Sequence, residues 1–315
     1  MPDYTSLVIM MRSMSLKSIS RRALLAAAGA VLLPIETRPA SSQDASFPFV
    51  VDLDWLRDRA SRADLRLIDV SPLHVYRDRH IDSATHAWWR DTVDPNYPVF
   101  GAVLTQGDEQ AHRQRVLDSL QLFTGDAIVV YDNDEGFRAA RMVWFMRFLG
   151  FGRTALLNAG YDEWKASEFP IVSASSTSTP PVVDPQSGYY LVTEQVLTRL
   201  SDPAMQLIDI RTDSERADDL NGNMPTGQIP GSVWLPWSQL LDASGHLISS
   251  DELLALTADL GLRPVRETVL YGRFGVDTAL SWVALRNAGF ENVLSYDRGW
   301  AEWSTLPDLP REPSS

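Results

Sequence analysis

A six-residue loop is the part of this sequence whose residue types are best suited to chemistry. It reads GRFGVD and lies between an apolar segment, TVLY, and a segment with helical periodicity, TALSWVALRNAGF. Its glycines allow backbone angles that turn successive N–H groups inward at the start of a helix, and such a nest of amides binds anions. We therefore predict an anion- or substrate-binding loop made of Gly272, Arg273, Phe274, Gly275, Val276 and Asp277.

Two charged side chains of this loop have alternative interpretations. Arg273 is either an anion-binding cation or a solvated surface arginine. Asp277 could act as an oxygen nucleophile in phosphoryl or acyl transfer. The interpretation that we favour for Asp277 is a carboxylate that satisfies free N–H groups and the dipole at a helix N-terminus. Gly272 stands where many enzymes of this local architecture carry a nucleophile, and it has no side chain.

The composition excludes several classes of protein and site. The 315 residues include no cysteine, which excludes a disulfide or a thiolate metal site. The net charge of −13 argues against nucleic acid, because nucleic-acid-binding proteins neutralise phosphates with clustered lysine and arginine. His74, His80 and His86 are spaced by six residues, which is not a zinc-ligand pattern. We predict no metal, no cofactor and no nucleic-acid partner.

The N-terminal segment predicts export. Residues 1–42 contain SRRALL, which resembles a twin-arginine signal, and an apolar run from Ala23 to Leu33 that is too short to span a bilayer. Small residues favour cleavage near Ser42. We therefore expect a periplasmic or otherwise exported protein with no membrane span after signal removal. The alternative is a tail on a cytoplasmic protein.

The sequence contains an internal repeat. Asp69 and Asp209 end the similar segments LRLID and MQLID, and they are 140 residues apart. Tyr131 and Tyr271 end the segments AIVVY and TVLY with the same separation of 140 residues. A separation that recurs in this way indicates a duplicated domain.

The repeat and the apolar pattern together predict the fold class. Continuous apolar runs that alternate with helical patterns favour parallel strands covered on both faces, so each copy is expected to be a three-layer α/β/α domain with a central parallel sheet. A stretch rich in Ser, Thr and Pro, residues 173–188, has the composition of a linker. We predict an N-terminal domain at 47–172 and a C-terminal domain at 189–310.

Three motifs of the second half carry a resemblance to a known family. LIDIR ends at Arg211, GQIPGS begins at Gly227 and YDRGWAEW begins at Tyr296. Together they resemble the tandem rhodanese-like sulfurtransferases, which include thiosulfate and 3-mercaptopyruvate sulfurtransferases. The resemblance covers roughly residues 50–310. It implies two rhodanese-like domains, of which the first is inactive and the second presents a catalytic cysteine directly after a strand.

This sequence departs from the family at that cysteine. The position that matches the nucleophile is Gly272, and the matching position in the first half is Asp132. Sulfur transfer of this kind holds the sulfane sulfur on an activated thiolate, which glycine cannot supply.

The resemblance also implies supporting residues around the loop. Asp209 and Arg211 belong to the pattern whose arginine braces the wall of the site, and Arg216 is a candidate for a substrate contact. The alternative for Arg211 is a salt bridge with Asp209 or Glu215.

We therefore expect a tandem rhodanese-like pseudoenzyme that lacks sulfur transfer and whose loop binds a small anion, a sulfur compound or a partner protein. The alternative is an active transferase of altered chemistry that uses Asp277 or a thiol from a partner. A third hypothesis is that Gly272 arises from a changed cysteine codon. We expect Gly272→Cys to restore some activity, because the nest and Arg273 are already in place.

Overall fold

The fold is that of a computed structural model, which describes residues 47–93, 109–123, 125–167, 186, 188–218 and 224–313. The predicted export segment, 1–42, lies outside the described residues, as does nearly all of the predicted linker, 173–188. Both therefore stay predictions.

The first half folds around a five-stranded parallel sheet. Its strands are β1 (Val50–Val51), β2 (Leu65–Asp69), β3 (Thr85–His86), β4 (Ala127–Tyr131) and β5 (Thr154–Leu157). Their order in the sheet is β1-β5-β4-β2-β3, and each neighbouring pair is parallel. Parallel neighbours require crossover connections, which the helices provide.

The second half repeats this topology. Its strands are β6 (Tyr190–Leu191), β7 (Met205–Asp209), β8 (Val233–Trp234), β9 (Glu267–Tyr271) and β10 (Val293–Tyr296). Their order is β6-β10-β9-β7-β8, again with parallel neighbours. The sheets also share their register, because Asp69 lies beside Tyr131 and Asp209 beside Tyr271. The predicted tandem arrangement is confirmed.

Ten short to medium helices connect the strands in the described residues. Those of the first half are α1 (Leu53–Arg57), α2 (Leu73–Asp78), α3 (Glu109–Leu120), α4 (Phe137–Phe148) and α5 (Tyr161–Ser167). Those of the second half are α6 (Thr193–Arg199), α7 (Asp213–Ala217), α8 (Ser250–Asp259), α9 (Ala279–Asn287) and α10 (Gly299–Trp303). Within this part of the chain, no helix is long and apolar enough to cross a bilayer.

The apolar strands are buried on both faces. In β4, Ile128 and Val130 belong to one hydrophobic cluster, whereas Ala127, Val129 and Tyr131 belong to another on the opposite face. Successive side chains of a strand point to opposite faces, so a continuous apolar run fits a sheet that is covered on both sides. The predicted α/β class with a central parallel sheet is confirmed for both domains.

The two halves share one hydrophobic core. Helix α4 of the first half packs against α9 of the second, and a single cluster of buried residues continues through both. The rings of Phe137 and Trp237 pack edge to face, with 4.5 Å between the ring centroids. Asn158 donates to the Leu247 carbonyl at 3.1 Å and accepts the Leu247 N–H at 2.9 Å. The loop after β9 therefore lies in a domain whose inner helix is fixed against the other half.

Candidate functional site

The predicted loop begins at the carboxyl end of a central strand. Strand β9 lies between β10 and β7 and ends at Tyr271, and a 3₁₀ turn over Gly275–Thr278 leads directly into α9. The Tyr271 hydroxyl is held by the Ile229 N–H at 3.2 Å. Ligands of parallel α/β sheets bind at the carboxyl ends of the strands, so the loop has the placement of a functional site.

Gly272 lies in a crowded position. A Cβ atom added to it would lie 2.8 Å from the Cβ of Asp277, 3.2 Å from Cδ1 of Ile210 and 3.2 Å from the carbonyl oxygen of Phe274. Its φ is outside the left-handed region, so the backbone itself would accept any L-residue. Space, and not backbone conformation, makes this position a glycine.

The Asp277 side chain turns back into the loop. Its Oδ2 atom accepts the Phe274 N–H at 2.8 Å, three residues earlier in the chain. Burial raises the pKa of this carboxyl to about 7, and the negative charge of Glu215 acts in the same direction. The Phe274 hydrogen bond and the charges of Arg273 and Arg141 oppose that rise. A carboxyl with this pKa changes its charge near neutral pH.

Arg273 is directed away from the centre of the loop. Its guanidinium is buried, with 5% of the residue exposed, and donates to the Glu215 carbonyl at 3.2 Å. It also lies 3.2 Å from the Asp218 carboxylate, just beyond the end of α7. The side chain is therefore neither a solvated surface arginine nor an open cation, since protein groups contact it.

Helix α7 is positioned by a capping box. Thr212 accepts the Glu215 N–H, and the Glu215 carboxylate accepts the Thr212 N–H at 2.7 Å. The same carboxylate accepts the indole N–H of Trp237 at 3.1 Å. These bonds fix Glu215 in the region where its charge acts on Asp277.

The motif YDRGWAEW, residues 296–303, holds the loop through backbone hydrogen bonds. The N–H of Trp300 donates to the Gly272 carbonyl at 2.9 Å, and the N–H of Ala301 donates to the Arg273 carbonyl at 3.0 Å. These donors are the first N–H groups of α10, which have no partner within their own helix. The start of α10 therefore fixes the first two residues of the loop.

Close backbone packing explains two glycines at this junction. A Cβ at Gly275 would lie 1.8 Å from the Asp297 carbonyl oxygen, so a side chain cannot be accommodated there. Gly299 has a φ of 62°, in the left-handed region, and its Cβ would lie 2.9 Å from the Gly272 carbonyl oxygen. Glycine permits both the angle and the close approach.

The three predicted supporting residues form one buried cluster beneath the loop. Arg211 donates twice to the Asp209 carboxylate, at 2.9 and 2.7 Å, and once to the Gly227 carbonyl at 2.7 Å. Arg216 lies 3.5 Å from the same carboxylate and donates to the side-chain carbonyl of Gln228. The cluster joins the motifs LIDIR and GQIPGS, and it contains the salt bridge between Arg211 and Asp209 that was the alternative interpretation of Arg211.

Asp132 occupies the equivalent position in the first half and has a different set of contacts. Its Oδ1 accepts the N–H groups of Asp134 at 2.8 Å and Gly136 at 3.0 Å, and its Oδ2 accepts the N–H of Ala139 at 2.9 Å. Burial raises the pKa of this carboxyl to about 6, against the effect of these hydrogen bonds. The first-half loop therefore encloses a carboxylate at the position that Gly272 has in the second.

Arg141 is a residue near the site that sequence reasoning missed. It lies on α4 of the first half and donates to Thr92 Oγ1 at 3.0 Å and to the Thr92 carbonyl at 3.1 Å. Burial lowers the pKa of its guanidinium to about 10, whereas the charges of Asp297 and Asp277 in the second half oppose this effect. The sequence signal was a charged residue within the apolar helix FRAARMVWFMRF, but no local motif shows that it faces the other domain.

The described residues contain no group of three or more His, Asp or Glu side chains that could hold a metal ion. Of the histidines considered above, His80 bonds to the Tyr76 carbonyl at 2.8 Å and stacks on the Tyr76 ring. His86 bonds to the Ser71 carbonyl at 2.9 Å. Both therefore have structural contacts within the first half.

Comparison with known proteins adds three findings. The model of the rhodanese-like domain family matches residues 52–167 and 192–306. A thiosulfate sulfurtransferase of Corynebacterium glutamicum is 30% identical over 298 residues, which cover 89% of this chain and 95% of that protein. A sulfur carrier protein of Thermus thermophilus is 25% identical, with 83% of this chain and 95% of that protein covered.

A solved structure supports the fold. The crystal structure of SseA from Escherichia coli, a 3-mercaptopyruvate sulfotransferase with the rhodanese fold, superposes with a TM-score of 0.65 at 21% identity. The superposition covers 80% of this chain and 99% of that one.

Proposed function

Because this chain belongs to the rhodanese-like domain family, with two copies of the domain, we propose that it is a tandem rhodanese-like protein without sulfur-transfer activity of its own. The observation that carries the proposal is the second-half loop, in which Gly272 occupies the nucleophile position and the chain contains no cysteine. A thiolate that attacks a sulfane sulfur and holds it as a persulfide is therefore missing.

The surroundings of Gly272 support the same proposal. The space in front of Gly272 is taken by Asp277, and the neighbouring cation, Arg273, is buried against Glu215 and Asp218. A site that accepts an anionic sulfur donor would instead present open space and an accessible positive charge. The loop has neither this open space nor this accessible charge, and it has no thiol.

The proposed role is binding, either of a partner protein or of a small ligand that does not need the space in front of Gly272, which Asp277 takes. Hydrogen bonds from Trp300 and Ala301 keep the backbone of the loop in place even though the nucleophile is missing. Export to the periplasm is part of this proposal and rests on the twin-arginine-like segment in residues 1–42. Fusion of that segment to a reporter enzyme, with Arg21 and Arg22 replaced by lysine in the control, tests export by fractionation of the cells.

The test of inactivity is a sulfur-transfer assay on the purified protein. Incubation with thiosulfate or 3-mercaptopyruvate and with cyanide should give no thiocyanate above a buffer blank. The Corynebacterium glutamicum relative, assayed in parallel, serves as the positive control. Turnover by this chain above the blank would overturn the proposal.

A second candidate function is a transferase of altered chemistry that uses Asp277 or a thiol from a partner. The observation in its favour is the pKa of about 7 at Asp277, which suits general acid–base catalysis at neutral pH. Any hydrolase or transferase activity of the purified protein should then disappear in Asp277→Asn. Activity that survives this substitution would exclude Asp277 as the catalytic group.

A further inference from the structure

The Asp277 side chain lies where a side chain at residue 272 would have to be. The Cβ of Asp277 lies 2.8 Å from the point where a Cβ of residue 272 would be. Real Cβ atoms do not approach each other this closely, because their van der Waals surfaces would overlap. The two positions therefore compete for one volume.

A hydrogen bond fixes Asp277 in that volume. Oδ2 of Asp277 accepts the Phe274 N–H at 2.8 Å, and the Asp277 N–H donates back to the Phe274 carbonyl at 3.2 Å. The same Phe274 carbonyl oxygen lies 3.2 Å from the virtual Cβ of residue 272. The reciprocal bonds thus hold the Asp277 side chain beside Gly272. The Phe274 carbonyl oxygen limits the space for a side chain at residue 272 from a second direction.

The first half shows what the cradle of amides accepts. We use the term cradle for the backbone N–H groups of the turn after the central strand and of the first residues of the following helix, residues 132–139 in the first half and 272–279 in the second. In the first half the cradle holds the carboxylate of Asp132, which accepts three N–H groups. In the second half one N–H of the cradle, that of Phe274, donates to the carboxylate of Asp277, which lies five residues further along the chain than Gly272.

We propose that Asp277 is a built-in occupant of the second cradle and that Gly272 and Asp277 form a matched pair, in which the glycine makes room for the carboxylate. This inference goes beyond the missing thiol of the proposed function. Loss of the cysteine was accompanied by closure of its site, so that a thiol restored at residue 272 alone lacks space. The sequence predicts that Gly272→Cys restores some activity. Under this proposal, Asp277 must be replaced as well.

The first experiment is a double-mutant cycle on thermal stability, with the full mature chain. Gly272→Ala should lower Tm by roughly 3–8 °C in the natural background, because overpacking of a crowded position is destabilising. In the Asp277→Gly background, which removes the competing Cβ, the same substitution should lower Tm by less than half as much. Equal losses of Tm in both backgrounds would overturn the matched pair.

Gly160→Ala is the matched control for this cycle. Gly160 lies in the first half, its φ is outside the left-handed region, and no atom lies within 4 Å of its virtual Cβ. Gly160 is the N-cap of α5, where alanine is less favourable than glycine, so its replacement should lower Tm by a small amount that is the same in both backgrounds, because its Cβ contacts neither residue of the pair. A drop as large as that of Gly272→Ala would show that the cycle reports loss of glycine in general and would count against the proposal.

The second experiment measures sulfur loading with thiosulfate as the probe. The thiolate introduced by Gly272→Cys would attack the sulfane sulfur, forming one S–S bond and breaking another, so that sulfite leaves with the electron pair. Mass spectrometry of the desalted protein then shows a gain of one sulfur atom. We expect this gain in Gly272→Cys/Asp277→Gly and little or none in Gly272→Cys alone.

The outcomes separate this inference from the proposed function. Equal loading of the single and double variants, or loading of neither, would overturn the matched pair and leave the inactivity of the natural chain untouched. Thiocyanate formation by the natural chain would instead overturn the proposed function. Loading of the double variant alone supports both.

Discussion

The loops of the two halves have the same place in the fold and differ in how they acquire a negative charge. Asp132 is the first residue after its strand and accepts two backbone N–H groups from its own loop and one from the first turn of α4. In the second half the corresponding residue is Gly272, and among the described residues the carboxylate of Asp277 accepts one backbone N–H, that of Phe274. A cradle of amides is thus filled by a carboxylate in each half, although the sequence position that supplies the carboxylate differs.

The difference appears in the titration of the two groups. Burial raises the pKa of both carboxyls, to about 6 for Asp132 and about 7 for Asp277. Three N–H donors stabilise the ionised form of Asp132, whereas Asp277 has one such donor and the unfavourable charge of Glu215. The first loop is therefore the better site for a carboxylate, and the second holds its carboxylate under greater electrostatic strain.

The largest expected effect comes from emptying the first cradle. Asp132→Ala should lower the free energy of unfolding by about 3 kcal/mol, because one buried and two partly buried N–H groups lose their acceptor. Asp277→Ala should cost about 1 kcal/mol, because it frees one N–H and also removes a poorly stabilised charge. Urea unfolding of the two variants measures both values.

Asp132→Asn is the control for that comparison. It keeps one acceptor oxygen and should recover part of the stability that Asp132→Ala loses. A loss in Asp277→Ala that equals or exceeds the loss in Asp132→Ala would contradict the view that the number of N–H partners distinguishes the loops.

The next effect concerns the cation that reaches the second loop from the first half. Arg141→Met should lower the free energy of unfolding by about 2 kcal/mol, because the buried acceptors of Thr92 lose their donor and the nearby carboxylates lose a positive charge. It should also raise the pKa of Asp277 further. NMR titration of the Asp277 carboxyl, together with urea unfolding, measures the two effects.

Arg138→Met is a suitable comparison for Arg141. Arg138 lies on the same helix and forms an ion pair of 2.7 Å with Asp134, in which both side chains are partly exposed. Such pairs contribute about 1 kcal/mol or less. If the two variants were equally destabilised, Arg141 would have no special role at the contact between the halves.

The smallest effect is a difference in pH dependence between the two carboxyls. Each folded pKa lies above the ordinary value of 3.8, so the folded state binds the proton more tightly than the unfolded state. The stability from each group is therefore fully present below pH 3.8 and is lost as the pH rises, up to about 6 for Asp132 and about 7 for Asp277.

The two groups can be separated with asparagine variants. Relative to the natural protein, Asp277→Asn should remove more of this loss than Asp132→Asn, mainly between about pH 6 and 7, because burial and the charge of Glu215 raise the pKa of Asp277 further. Unfolding in urea at a series of pH values provides the measurement. Identical pH profiles for the two variants would show that the cradles do not differ in this respect.

Much of the fold could be predicted from the sequence, because the signals are local and repeated. Continuous apolar segments such as LRLID and AIVVY occur in both halves at a constant separation, and they form central parallel strands with the same register. The loop after β9 was placed from the pattern of strand, glycine and helix alone. Those features depend on side-chain burial and backbone preference, which are written in short stretches of sequence.

The roles of individual residues in the site were less accessible. The sequence left Arg273 as either a solvated or an anion-binding side chain, but its contacts with Glu215 and Asp218 come from a helix about sixty residues away in the chain. It also left Arg141 unnoticed, since the acids near it belong to the other half.

The sequence by itself determined that this protein has two similar α/β domains and no thiol with which to carry sulfur. Composition and hydrophobic periodicity can be read without knowledge of the tertiary contacts. Only the tertiary structure decided that the place of the missing thiol is filled. The distance between residue 272 and the Asp277 side chain depends on the conformation of the turn, which hydrogen bonds from the start of α10 help to fix. No local sequence pattern encodes that distance.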